Sequence, residues 1–103
     1  MIVYEVNLDV DDAIAVAYRE WLEAHVRDIL ILPGFLGAEI FECIDPPPTP
    51  QRHSLCVQYR LAEAGDLERY LREHAPRMRA DGEARFAGKF SASRRVLRPL
   101  SSD

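Results

Sequence analysis

An α+β domain of the split βαβ kind is predicted by three observations: four short runs that alternate apolar and polar residues, segments of helical period between them, and the order β-α-β-β-α-β along the chain. The chain has 103 residues, 48% hydrophobic and 29% charged. That is globular composition at a length suited to one domain. We place the domain at residues 1–100 and read 101–103 as a disordered tail.

Each element has its own signal. Ile2 to Leu8 alternates, with Ile2, Tyr4, Val6 and Leu8 on one face and Val3, Glu5 and Asn7 on the other, which is a strand. Asp9, Asp11 and Asp12 offer an N-cap and favourable charge for a helix over about 11–30, which Pro33-Gly34 ends. A second strand spans Phe35 to Ile44. The run Asp45 to Pro50, with four prolines, cannot pair in a sheet centre and reads as an exposed loop. Ser54 to Leu61 alternates again as the third strand. A helix from about Glu63 to His74 is broken at Pro76, which opens a further helix reaching roughly Ala87. Phe90 to Leu100 is the fourth strand.

Right-handed crossovers leave one sheet for this order, antiparallel and arranged 4-1-3-2, with the helices on one face: a ferredoxin-like domain. Strand two is expected to carry Phe35, Phe41 and Cys43 on one face and Leu36, Ala38, Ile40 and Ile44 on the other. Helices cover only one face. The other face is apolar as well and needs a partner's sheet, so a homodimer is expected.

The run Tyr18 to Trp21 with His25, then Phe35-Leu36, Val57-Gln58-Tyr59, Leu67 with Tyr70-Leu71 and His74-Ala75-Pro76, and finally Arg85-Phe86 with Lys89-Phe90, resembles a small bacterial family. That family is known as a domain of unknown function within the dimeric α+β barrel superfamily. The resemblance covers residues 1–100 and departs at Val26-Arg27 and in the proline loop. It implies a dimer whose sheets face each other, and it implies no reaction.

The candidate ligand-binding residues are His25, Tyr70, Trp21, Asn7 and His74. At 100° per residue Ile14, Tyr18, Trp21 and His25 share one stripe of the first helix, with His25 near its middle. Leu67, Leu71, His74 and Met78 form the corresponding band of the second, with Tyr70 at its edge and a natural neighbour of His25. A buried imidazole without a partner costs on the order of 1–3 kcal/mol. Each histidine must therefore bond to a carbonyl or hydroxyl, or serve a ligand in the cleft between helices and sheet. Trp21 and Tyr18 also fit an ordinary core. Asn7, between Val6 and Leu8 on a central strand, is a polar amide in need of partners. With His74 it resembles part of the site of haem-degrading monooxygenases of this fold. Those also use a tryptophan before that histidine, and none lies between Leu55 and His74 here. No cofactor is expected.

Other classes are excluded by composition. The first fifty residues hold ten acids and two bases, yet the whole chain is only −4, so the acidity is offset by the second half. Arg94, Arg95 and Arg98 form the only basic cluster and have no aromatic platforms among them, against nucleic acid. No apolar run reaches bilayer length and the first residues show no signal-peptide pattern, so no membrane partner and a cytoplasmic location are expected. Cys43 and Cys56 lack metal-ligand spacing. They fall on two strands of a hairpin whose register leaves direct pairing open, and a cytosolic thiol reads as a small buried hydrophobe. The leading functional reading is a homodimer that binds a small hydrophobic ligand between helices and sheet. The alternatives are a cofactor-free monooxygenase- or isomerase-like enzyme on a carbonyl or aromatic compound, and a purely structural interaction module.

Overall fold

In a computed structural model, which describes residues 1–101, the chain runs β1 (Ile2–Asp11), a 3-10 turn (Asp12–Ile14), α1 (Ala15–Leu30), β2 (Phe35–Glu42), β3 (Arg52–Leu61), α2 (Ala64–Glu73), α3 (Ala75–Phe86) and β4 (Phe90–Leu97). The strands form one antiparallel sheet in the order β2-β3-β1-β4, the expected order read from the other edge. The last two residues of the expected tail lie outside the described residues. No helix among the described residues is long and apolar enough to cross a membrane.

Local chemistry sets the boundaries. The Asp11 carboxylate accepts from the Ala13 amide and starts the 3-10 turn that feeds α1. Gly34, at φ +88°, makes the reversal after α1 that a side chain would strain. Glu63 and Asp66 form a reciprocal capping box at the start of α2. At His74 the backbone leaves helical geometry (φ −125°, ψ −37°), and Pro76 enters the first turn of α3.

All helices pack on the face of the sheet carrying Ile2, Tyr4, Leu8 and Val10 of β1 and Leu55, Val57, Tyr59 and Leu61 of β3, all buried. The stripe of α1 is centred on Tyr18, Leu22, Val26 and Ile29, which are buried, whereas Trp21 and His25 are half-buried on its flank beside α3. His25 is therefore off the centre where the heptad-like series 14, 18, 21, 25 placed it, because Leu22, Val26 and Ile29 claim the sheet. On α2 the expected order is reversed: Tyr70 is buried and Leu71 is 38% exposed. The break at His74 ends the band before it reaches Met78.

Strand two holds the main correction. The register shifts between Phe35, which faces Leu61, and Gly37, which faces Arg60. This bulge inverts the side-chain alternation. Phe35 turns in with Ala38 and Ile40, packing edge-on against Tyr59 and Tyr70 at 5.7 and 5.2 Å, while Phe41 points to the helix-free face opposite Cys56. That face is mixed, and not broadly apolar as expected. It carries Val3, Phe41, Cys43, Cys56 and Leu97 around a polar centre of Glu5, Asn7, Gln58 and Arg95. The two cysteines are free, half-buried and two residues out of register: Cys56 faces Phe41, and the Cys43 amide bonds to the Ser54 carbonyl.

Candidate functional site

A cleft of about 420 Å³ opens between the helices and the sheet. Its floor is Tyr4, Val6 and Leu8 of β1 with Val57 and Tyr59 of β3. Its walls are Tyr18, Trp21, Leu22 and His25 of α1, Tyr70 of α2, and Arg79 and Glu83 of α3. Phe90, Ala92 and Arg94 of β4 line its open edge. The volume lies within the ordinary small-molecule range of about 300–1,000 Å³. Aromatic rings dominate: Tyr4 stacks on Tyr59 at 5.9 Å, and Tyr18 meets Trp21, Phe86 and Phe90 at 5.1 to 5.5 Å.

Of the five candidate residues, three line this cleft. Trp21 stacks on His25 at 4.5 Å and 22°, and its indole Nε1–H donates to the Asp81 carboxylate at 2.7 Å. The indole can lie there because residue 82 is glycine; a Cβ would come within 2.6 Å of Trp21 Cη2. The Trp21–His25 pair thus forms a wall, with the cleft on one side and a surface groove between α1 and α3 on the other. Neither ring nitrogen of His25 has a hydrogen-bond partner among the described residues. Burial holds its pKa below the usual imidazole value, against the raising influence of Asp28 and Asp81, so the ring is neutral at pH 7. Tyr70 lines the cleft at the other end, against Phe35 and Tyr4, and its ring neighbours do not include His25. Burial pushes the phenols of Tyr18 and Tyr70 up to about 12 and raises Tyr59 further.

The other two candidates lie apart. Asn7, one residue out of phase with Val6 and Leu8, is on the helix-free face and donates to Glu5 at 3.0 Å. His74, at the α2–α3 break, accepts at Nδ1 from Arg77 at 2.6 Å and is absent from the cleft lining. The Asn7–His74 pair that resembled part of a haem site is thus divided by the sheet. No group of three or more metal-ligating side chains occurs among the described residues.

The sequence reading missed Arg79, which donates to the buried Tyr4 hydroxyl at 2.9 Å, and Arg94, on the helix side of β4 beside Val6. Both were legible. The series 75, 79, 82, 86 puts Arg79 on the inner stripe of α3, and Arg94 continues the alternation of Phe90 and Ala92.

The model of a family described as a domain of unknown function (DUF4286) matches residues 1–100. Among solved structures, a Deinococcus radiodurans protein provisionally assigned as an antibiotic biosynthesis monooxygenase superposes with TM-score 0.72 at 12% identity, covering 100% of this chain and 96% of that one. A mutant of SnoaB, a cofactor-independent oxygenase from Streptomyces nogalater, gives TM-score 0.71 at 10% identity over 98% and 95%. The de novo designed protein Foldit4 gives 0.65 at 10% identity over 95% and 97%. Such identities speak for the fold alone, and a designed protein among the matches makes the point directly. No protein of curated function matches the sequence.

Proposed function

We propose that this chain, which belongs to the DUF4286 family, is a homodimer in which each helix–sheet cleft binds a small aromatic molecule. The observation that carries the reading is His25: an imidazole stacked on Trp21, with neither nitrogen bonded among the described residues, at the wall of an aromatic-lined cleft. A polar ring on such a wall is a contact awaiting a hydroxyl or acidic proton. The same geometry favours a second reading, in which His25 removes a proton from the bound guest as a general base. The solved likeness to SnoaB, a cofactor-independent oxygenase, fits that reading as analogy. The two unbridged cysteines of this chain suit a cytoplasmic protein.

His25 separates these readings in one experiment. Titration calorimetry with 2-naphthol, neutral at pH 7, should give binding that His25→Leu weakens by about tenfold or more while thermal unfolding stays close to wild type, the change being apolar and of similar volume. Unchanged affinity would remove His25 from the site. Dioxygen uptake that requires naphthol and is lost in His25→Gln would favour the base; binding without uptake favours the plain receptor.

The dimer rests on the helix-free face. The domain is a slab only 18 Å thick, two layers deep, with one sheet face uncovered. In the polar centre of that face the Glu5 carboxylate accepts from Asn7, Gln58 and Arg95, and no buried side-chain nitrogen or oxygen among the described residues lacks a partner. Apolar contact comes from Phe41, 41% exposed, beside Cys56 toward one end of the face, and from Val3 paired with Leu97 toward the other. Phe41→Asp should convert a micromolar dimer into a monomer in sedimentation velocity. A wild-type monomer, or a Phe41→Asp dimer of unchanged affinity, would refute this arrangement.

A further inference from the structure

The polar half of the cleft has a sign. Arg19, Arg52, Arg60, Arg72, Arg85 and Arg95 each lie within 4.0 Å of a carboxylate. Neither arginine of the cleft does, among the described residues. Of the arginines without such a partner, Arg79 alone is half-buried. Its guanidinium has five N–H donors and spends one on a neutral acceptor, the Tyr4 hydroxyl. A partly desolvated cation held by one phenol is under-compensated.

Arg94 adds a second charge from the sheet side. Its guanidinium makes no hydrogen bond among the described residues, and its field reaches Tyr18, Tyr59, Tyr70 and His25, opposing the upward shift of each phenol. One acid, Glu83, also lines the cleft. It sits one turn beyond Arg79 on α3, is exposed, and comes within 4.0 Å of neither arginine. With His25 neutral, the cleft carries two guanidinium groups against one carboxylate, in a chain whose net charge is −4. A positive cleft in an acidic protein is a local arrangement, and overall composition does not produce it.

We propose that the guest of this cleft is an aromatic carboxylate, its anionic group held between Arg79 and Arg94 beside the Tyr4 hydroxyl and its ring lying among Tyr59, Tyr18 and Phe90. This rests on the reading of the cleft as the binding site and adds its charge preference. Arginine suits the role because its planar fork meets both oxygens of a carboxylate.

The test uses two probes of equal shape, 2-naphthoate and its neutral amide 2-naphthamide, titrated into the whole protein at pH 7. The acid should bind at least tenfold more tightly, and the preference should shrink as salt is raised. Arg94→Gln, an exposed change that leaves the core untouched, should reduce the acid/amide ratio severalfold. Arg79→Gln should do the same, and Arg79→Lys should recover part of it. An amide that binds as well as the acid would overturn the charge preference and leave the cleft reading standing. An acid preference untouched by both glutamine variants would place the anion elsewhere and also overturn it. If neither probe binds, both proposals fail together.

Discussion

Replacing Glu5 by glutamine is expected to lower the unfolding free energy by about 2 kcal/mol at pH 7, a fall in Tm of roughly 8–16 °C for a domain of this size. Glu5 is only 3% exposed, in the middle of the helix-free face. Arg95 and Asn7 donate to one carboxylate oxygen, and Gln58 to the other at 3.0 Å. These bonds, that from Arg95 foremost, hold its pKa down to about 2 against a desolvation that alone would raise it. A shift from 4.5 to about 2 corresponds to about 3 kcal/mol in full. The Arg95 side chain is 65% exposed, so solvent screens its share and the smaller figure is expected. Glutamine keeps the shape but loses the charge on which three donors converge. The pH dependence gives the decisive signature. A carboxylate whose pKa is depressed on folding stabilises the protein above its unfolded value, near 4.5, and loses that stabilisation as pH falls through the folded value, near 2. The gap between wild type and Glu5→Gln should thus be constant from pH 7 to about 5 and close progressively toward pH 2. It is measured by urea unfolding at one fixed protein concentration, since dimerisation would make stability concentration-dependent. A gap that persists unchanged at pH 3 would show that charge is irrelevant and that shape alone matters at residue 5.

The helix-free face also marks where sequence reasoning stopped. Alternation in β1 and β3 was regular enough to assign every face correctly, because both are central strands with one side in the core. Strand β2 is at an edge, where a bulge is tolerated. Its single extra residue between Phe35 and Gly37 turned Phe35 from the outer face to the inner one, and nothing in the letters Phe-Leu-Gly announces that shift. Alternation places Glu5 with Val3 and Asn7 on one face of β1; that partners for it would come from β3 and β4 could be inferred only once register was known. The cleft was half legible. Helical period brought Trp21, His25 and Tyr70 to the inner side, since it depends only on spacing within one element. Which of them meet depends on the crossing of α1 and α3, and there Gly82 decides. It reads as a defect in a helix sequence and is in fact the space the indole occupies.

Two glycine-to-alanine changes should therefore have opposite outcomes. Both Gly65 and Gly82 are helical, and alanine gains up to about 1 kcal/mol over glycine within a helix. Gly65, near the start of α2, has no atom within 4 Å of the position a Cβ would take, so Gly65→Ala should raise stability by about 0.5–1 kcal/mol. At Gly82 the same methyl would stand 2.6 Å from Cη2 and 2.9 Å from Cζ2 of Trp21. The indole cannot yield freely, because Asp81 holds its N–H, His25 stacks on one side of it and Tyr18 packs nearby. Overpacking of this kind costs about 1–3 kcal/mol, more than the propensity gain. Relief requires the ring to move off Asp81 and to carry His25 from its place on the cleft wall. Trp21 is the sole tryptophan, so its emission reports that displacement directly. Gly82→Ala should shift the emission maximum and weaken naphthol binding by about tenfold, while Gly65→Ala leaves both untouched. Exposure of Trp21 without loss of binding would separate the indole from the site and leave His25 to be held there by other contacts. An emission spectrum identical to wild type would mean that the α1–α3 crossing itself opens to admit the methyl, and a rigid Trp21 wall would then be the wrong description of the cleft.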